Sequence, residues 1–299
     1  MVGKDKNGRV HEVLRTHVRK KIRIVLAGGK GLIGSNISPY LANFYECIPL
    51  GITDWNVIEE SEGRKIIKDL RPDIIINLAA MTDVDGCEDD VELAEMVNVN
   101  GAECVARLCN EYGIRIIHFS TDYVFDGKKR IPYVEEDTPA PLSVYGRTKF
   151  LGEKKVLEIH PYPLIIRTQW IYGNGRENFI TKILRVAEKE GRVDVVNDQF
   201  GSPTYAKDLA EPIRLLIDLK KTGIYHVVNS GICSWYDFAQ EIFTRKNMCV
   251  DVVPISSTQL KRKAKRPAFS SLSTEKLKRD TGYILRSWKE ALAEYLNQI

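Results

Sequence analysis

Residues 21–44 read KIRIVLAGGKGLIGSNISPYLANF. An apolar run, IRIVLA, leads into Gly28, and Gly31 and Gly34 follow at three-residue spacing before a segment that reads as a helix. The pattern is strand, GxxGxxG turn, helix. Glycines let a backbone approach a pyrophosphate closely, and the N-terminus of the helix that follows offers N–H donors and positive dipole. Gly28, Lys30, Gly31, Leu32, Ile33 and Gly34 are therefore candidate dinucleotide-binding positions. The alternative is a tight turn in which glycine serves packing alone.

Working outward, the alternation continues. YECIPL reads as the next strand, 57–70 as a helix, DIIINLAA as a strand, and a loop then enters a long helix ending near NEYG. IRIIHFS is a strand, a proline-bearing loop covers 126–142, FLGEKKVLEIH is a helix and PLIIRTQWIYG a strand. The order β-α-β-α-β-α-β-α-β predicts an α/β fold with a Rossmann-type, doubly wound parallel sheet and right-handed crossovers. This domain is expected over residues 21–168. After Trp170 the pattern loosens into shorter strands and helices, expected to form a smaller C-terminal α/β substrate-binding lobe over 169–299, partly interleaved with the first domain. Residues 1–20 form an N-terminal extension, with a helix expected around EVLRTHV.

The chemistry concentrates in residues 120–149, STDYVFDGKKRIPYVEEDTPAPLSVYGRTK. Tyr145 and Lys149 stand four apart, which on a helix puts both on one face. A neighbouring ammonium favours phenolate and lowers a tyrosine's pKa, so such a tyrosine can pass a proton to a substrate oxygen near neutral pH. Thr121 ends the preceding strand, so its hydroxyl and the Tyr/Lys pair can meet over one carbonyl.

Bulk properties narrow the class. Hydrophobic residues at 43% and charged residues at 28% are those of a soluble globular chain. No apolar run approaches the ~18 residues of a membrane helix, and the basic N-terminus lacks the apolar core of a secretory signal. Six scattered cysteines without CxxC spacing read as reduced thiols, hence a cytoplasmic location. Net charge is +4, with eight Lys or Arg against two acids in residues 1–23 and a second basic run from Lys261 to Arg266. Neither run interleaves aromatics, so no nucleic-acid partner is expected. The strand after the glycine loop ends in Leu50-Gly51 without an acid for a ribose hydroxyl. Lys30 is the nearby base for a 2′-phosphate, which tilts the expected cofactor from NADH towards NADPH.

Taken together, the motifs resemble the extended short-chain dehydrogenase/reductases, and within them the dTDP-4-dehydrorhamnose reductase family. The resemblance runs from Ile22 to the C-terminus. It rests on GGKGLIG (28–34), NLAAMTDVDGCE (77–88), VNVNGA (97–102), STDYVFDG (120–127), YGRTK (145–149), IIRTQWIYGNGRENF (165–179), VNDQFGSPTYAKDLA (196–210), GIYHVVNSGICSWYDFAQEIF (223–243) and KRPAFSSL (265–272).

The resemblance implies reduction of the 4-keto group of dTDP-4-dehydro-L-rhamnose by NADPH or NADH. It assigns Tyr145 as proton donor, Lys149 as the residue that lowers its pKa and holds the nicotinamide ribose, and Thr121 as a hydrogen-bond partner of the reacting oxygen. Asn98 would support the catalytic helix. Ala79, Ala80 and Thr82 would line the cofactor and substrate path. Tyr123 and Trp170 would pack the sugar, and Arg266 would face the diphosphate. Magnesium supports some relatives, but no acidic grouping here has hard-metal spacing and no metal site is assigned. A homodimer is an assembly that the resemblance admits.

Two departures matter: Gly51 replaces a common acid, and Phe269 stands where asparagine is frequent. Two rival readings follow from the same residues. One is a reductase of another nucleotide-linked 4-keto-6-deoxy sugar. The other is a non-catalytic NADP-binding regulatory subunit of the methionine adenosyltransferase beta type, against which the intact Thr121, Tyr145 and Lys149 set argues. A dehydratase would need further carboxylates beside the central hydroxyl; Asp122 follows Thr121, but no Glu adjoins it.

Overall fold

A computed structural model describes residues 21–299, together with the backbone of Gly3–Lys4 and Val10–His11, which pair antiparallel. The helix expected around EVLRTHV lies outside the described residues.

Four β-branched apolar runs become strands of a sheet buried on both faces, and a fifth, ECIPL with its proline, lies half-buried at the edge. These are β1 (Arg23–Ala27), β2 (Glu46–Leu50), β3 (Ile74–Asn77), β4 (Arg115–Thr121) and β5 (Leu164–Thr168). The first four intervening crossovers carry α1 (Leu32–Leu41), α2 (Glu60–Leu70), a run of α3 (Gly86–Asp89), α4 (Val91–Glu95) and α5 (Gly101–Tyr112), and α6 (Val144–Ile159). A π-helical turn at Met96–Asn100 joins α4 to α5.

The chain then returns to the sheet. After β6 (Ile171–Tyr172), α7 (Phe179–Glu190), β7 (Arg192–Val196), β8 (Phe200–Gly201), β9 (Thr204–Tyr205) and α8 (Ala210–Asp218), strand β10 (Gly223–His226) pairs parallel with β5. The finished sheet is six-stranded and all parallel, in the order β10-β5-β4-β3-β1-β2. Its sixth strand comes from beyond residue 168, so the later half of the chain contributes to both layers.

Side chains alternate across the sheet with the strand period of two. Ile24, Leu26, Ile74, Ile76, Ile117 and Phe119 face one cluster with Ile37 of α1 and Ile213 of α8. Val25, Ala27, Ile75 and Ile116 face the other, with Val105 of α5 and Val156 of α6. Helices therefore cover both faces. The order reverses between β1 and β3, and ligands of such sheets bind outside the strand ends at this crevice.

The remaining elements are β11 (Cys233–Ser234), α9 (Trp235–Arg245), β12 (Asp251–Ile255), α10 (Glu275–Thr281) and α11 (Trp288–Leu296). β12 pairs parallel with β7, and α7, α9 and α11 share a separate apolar core around Phe238 and Tyr295. Capping boxes at Asn178, Ser234 and Ser287 start these helices. Among the described residues, no helix is long and apolar enough to cross a membrane.

Candidate active site

The glycine turn sits at the reversal point. Gly28 adopts φ +72°, and a Cβ there would lie 2.8 Å from the Ala79 nitrogen. Glycine is thus required both by backbone conformation and by the approach of the β3 loop, which brings Leu78 and Ala79 beside the turn with Ala80 next along the chain. Helix α1 starts at N-cap Gly31 with no side-chain cap and no acid in its first turn. Its leading N–H groups and positive dipole end are left for an anion, so this turn fits the pyrophosphate of a dinucleotide. Leu32 and Ile33 form the start of that helix, and Lys30 is exposed on the turn.

Asp54 changes the picture at the end of β2. Its carboxylate accepts from the Gly51 nitrogen at 2.7 Å and pairs with the Lys30 ammonium at 2.6 Å. An acid does reach this strand end, supplied from four residues beyond it.

The reactive groups come from β4 and α6. Thr121 ends β4 buried, and its hydroxyl accepts from the Tyr123 nitrogen at 3.2 Å across a single 3-10 turn. Ser143 caps α6 by accepting from the Gly146 nitrogen. Glu88 of α3 accepts from the Val144 nitrogen at 2.9 Å, placing an acid at the positive end of the helix. A Cβ on Gly146 would fall 2.2 Å from the Tyr123 carbonyl. Only glycine lets α6 press this closely on the turn after β4. The contact sets the Tyr145 ring edge-on to Tyr123, with centroids 5.6 Å apart.

Lys149 follows one turn later, buried, and its ammonium donates to the Phe119 carbonyl at 2.7 Å. Burial pushes its pKa down to about 8, against the pull of the Glu153 carboxylate. Burial also pushes the Tyr145 phenol well above its ordinary value, while the neighbouring Thr121 hydroxyl draws it back. The expected lowering of Tyr145 by Lys149 is therefore not present in the free chain. Desolvation dominates the phenol, and the ammonium donates to a backbone carbonyl instead.

Asn98 lies on the π-helical turn. It accepts from the Met81 nitrogen at 2.9 Å and donates to the Met81 carbonyl at 3.2 Å and to the Thr148 hydroxyl at 3.0 Å. One buried amide so ties the β3 loop to the helix carrying Tyr145. Thr82, next along that loop, is exposed.

Trp170 takes φ +48°, rare for a bulky residue. It stacks on Trp235 at 3.6 Å and packs against Gly201, so it is held by the C-terminal core. Arg266 reaches Tyr123 from the C-terminal segment and pairs with Asp85. The structure thus gathers Thr121, Tyr123, Tyr145, Lys149 and Arg266, with the glycine turn and Ala79 at the adjoining crevice. Phe269 packs beside the Phe125 and Tyr133 cluster.

Sequence reasoning gave no role to Asp85, Glu88 or Asp122. All three lie inside quoted motifs, but Asp85 and Glu88 have partners remote in sequence, and Asp122 adds Gln169 and Ser270 to its neighbour Thr121. Among the described residues, no group of three or more His, Cys, Asp or Glu is placed to hold a metal ion, and the six cysteines are free thiols.

A parallel doubly wound sheet, a glycine turn at its reversal point and a Thr/Tyr/Lys set beside it define an NAD(P)-dependent oxidoreductase of the extended short-chain dehydrogenase/reductase class. The family described as the RmlD substrate binding domain matches residues 22–299. The dTDP-4-dehydrorhamnose reductase of Escherichia coli K12 is 36% identical, over 93% of this chain and 98% of the relative. The spore coat polysaccharide biosynthesis protein SpsK of Bacillus subtilis is 39% identical, over 92% and 97%. The dTDP-4-dehydrorhamnose reductase of Bacillus anthracis, solved in complex with NADP, superposes with a TM-score of 0.90 at 35% identity, covering 93% of this chain and all of that one. The chain belongs to the dTDP-4-dehydrorhamnose reductase family.

Proposed function

We propose that the protein reduces the 4-keto group of dTDP-4-dehydro-L-rhamnose to give dTDP-L-rhamnose. The observation that carries this reading is the convergence of Thr121 and Tyr145 on one point, with Lys149 behind them and Arg266 on the same side. Bound NADPH or NADH supplies the hydride. Tyr145 gives its proton to the ketone oxygen, Thr121 orients that oxygen, and Lys149 holds the ribose and stabilises the phenolate left behind. Arg266 takes the diphosphate, and Tyr123 and Trp170 flank the sugar. Lys30 favours NADPH, although its pairing with Asp54 leaves room for both cofactors.

A second reading keeps the chemistry and changes the sugar to another nucleotide-linked 4-keto-6-deoxy sugar. It is favoured by the likeness to SpsK, whose name gives a polysaccharide but no sugar nucleotide.

The test is loss of reduced-nicotinamide absorbance on dTDP-4-dehydro-L-rhamnose, for wild type and Tyr145→Phe. Turnover that falls about 10²–10⁴-fold in the variant, while cofactor still binds, is the expected result. Cofactor binding without turnover on this sugar moves the reading to other keto-sugars, and without turnover on any of them to a non-catalytic NADP-binding subunit. Absence of cofactor binding overturns the reading of the glycine turn.

A further inference from the structure

Asp122 follows Thr121 directly and is buried, at 1% exposure. Its Oδ1 accepts the Thr121 hydroxyl proton at 3.0 Å. A hydroxyl owns one proton and two lone pairs. While that proton goes to a carboxylate, Thr121 can accept hydrogen bonds but cannot donate one to a substrate carbonyl. The ketone oxygen is then left with Tyr145 as its one donor from this pair.

No cation compensates the carboxylate among the described residues. Tyr123 faces it from its own turn and Tyr145 from α6. Gln169, with its amide turned so that both ends are satisfied, donates to Oδ2 at 3.3 Å, and Ser270 of the C-terminal segment hydrogen-bonds it. The nearest bases are engaged elsewhere. Lys149 donates to Phe119, Arg167 pairs with Glu153, and Arg262 and Arg266 face Tyr123 and Asp85. A buried carboxyl surrounded by neutral groups favours its protonated form. Burial accordingly pushes its pKa up to about 7, against the pull of its hydrogen bonds to Ser270, Thr121 and the local backbone.

We propose that Asp122 is a positioning residue whose protonation decides the direction in which Thr121 donates, and that the reducing form carries Asp122 neutral. This rests on the ketone-reductase reading above. With Asp122 protonated, its O–H donates to the second lone pair of Thr121, the first being taken by the Tyr123 nitrogen. The Thr121 proton is then free to turn to the ketone oxygen. As hydride arrives at the carbonyl carbon and the C=O π pair moves to oxygen, the growing negative charge meets two donors: Tyr145, which transfers its proton, and Thr121, which keeps its own. Asp122 neither gains nor loses a proton in the step.

The test is the pH profile of kcat/KM for wild type and Asp122→Asn, with the same keto-sugar and saturating reduced cofactor. Wild type is expected to fall about 10²-fold to a lower plateau as pH rises through neutrality, the cost of one donor to a developing oxyanion. In Asp122→Asn the amide nitrogen stands in for the protonated acid, and the neutral limb disappears whatever the absolute rate. A variant that keeps the limb overturns the proposal, as does a wild type without one. Infrared spectroscopy gives a readout independent of turnover. A protonated-carboxyl C=O band that titrates near neutrality is expected in wild type and is lost in Asp122→Asn, which separates it from Glu135, the other buried carboxyl raised by desolvation; its absence from wild type, or its persistence in the variant, overturns the proposal. If wild type turns over no keto-sugar, the functional reading fails by itself, and the infrared band still decides the state of Asp122.

Discussion

The Arg266 guanidinium closes on the Asp85 carboxylate through both terminal nitrogens, at 2.8 and 3.2 Å, across 181 residues of chain. Asp85 also accepts from the Ala264 nitrogen at 3.0 Å, and Lys263 pairs with Asp89 of α3. The basic run is thereby clasped to the loop and short helix after β3, with the arginine held beside Tyr123. Arg266→Ala should raise KM for the sugar nucleotide about 10–100-fold, the worth of a charge-assisted hydrogen bond, with little effect on KM for cofactor. Asp85→Asn should make the sugar-nucleotide KM more salt-dependent, because the subsite then carries an uncompensated positive charge. Steady-state kinetics at two ionic strengths checks both; a change confined to the cofactor KM would place Arg266 outside the diphosphate subsite.

Lys30 and Asp54 form an exposed pair at the end of β2, and we propose that together they set the charge seen by the adenosine ribose. Lys30→Ala should lower kcat/KM for NADPH relative to NADH by about fivefold, as expected for one exposed charge. Asp54→Asn should move the ratio the other way, since it removes the carboxylate that repels a 2′-phosphate. Equal ratios in all three proteins would assign cofactor preference to other residues.

Glu153 and Arg167 are paired at 2.6 and 2.9 Å with both side chains almost fully buried. Glu153→Gln leaves a buried guanidinium uncompensated and should cost about 3–5 kcal/mol in urea unfolding. The double change Glu153→Gln with Arg167→Met should recover much of that loss. Glu153 also holds the Lys149 pKa up. The single variant should therefore lose Lys149 charge at lower pH, and its turnover should fall earlier on the alkaline side than in wild type. A single variant as stable as wild type would show that the pair is not desolvated in solution.

The sheet was legible because its signals are local: β-branched apolar runs, a glycine turn and helical spacing each act within a dozen residues. That Thr121 lies near Tyr145 and Lys149 was legible for the same reason, since the first ends a strand and the other two lie in the first two turns of a helix that the pattern locates. What escaped depends on chain-distant neighbours. The chemistry of Asp122 comes from Gln169 and Ser270, which strip it of water without supplying a charge. The left-handed backbone of Trp170 is held by Trp235 and Gly201 from two other segments. The lowered Tyr145 pKa that the spacing suggested is reversed because burial, which a spacing rule cannot supply, acts on the phenol and on the Lys149 ammonium alike.

Three histidines shape how the protein responds to acid: burial holds His160 below its ordinary pKa against its hydrogen bond with the Ile114 carbonyl, and two others are shifted further. His118 and His226 are fully buried, and burial holds both well below their ordinary pKa, assisted by Lys149 beside the first and Arg167 beside the second. Their folded values lie below the unfolded value near 6.5, so below that pH the unfolded chain binds more protons and stability is lost as pH falls. Each contributes a slope of about 1.4 kcal/mol per pH unit. Asp122 works in the opposite sense between about pH 4 and its folded value of about 7, where the folded chain holds the extra proton. Between about pH 5 and about 6 the Asp122 contribution offsets about 1.4 kcal/mol per unit of what the buried histidines lose on acidification. In Asp122→Asn the opposing contribution vanishes, and the slope should steepen by about 1.4 kcal/mol per unit relative to wild type. Urea unfolding of both proteins at several pH values in that window measures it. A wild-type stability that rises on acidification would mean that these histidines are protonated in the folded chain, which their burial beside Lys149 and Arg167 opposes.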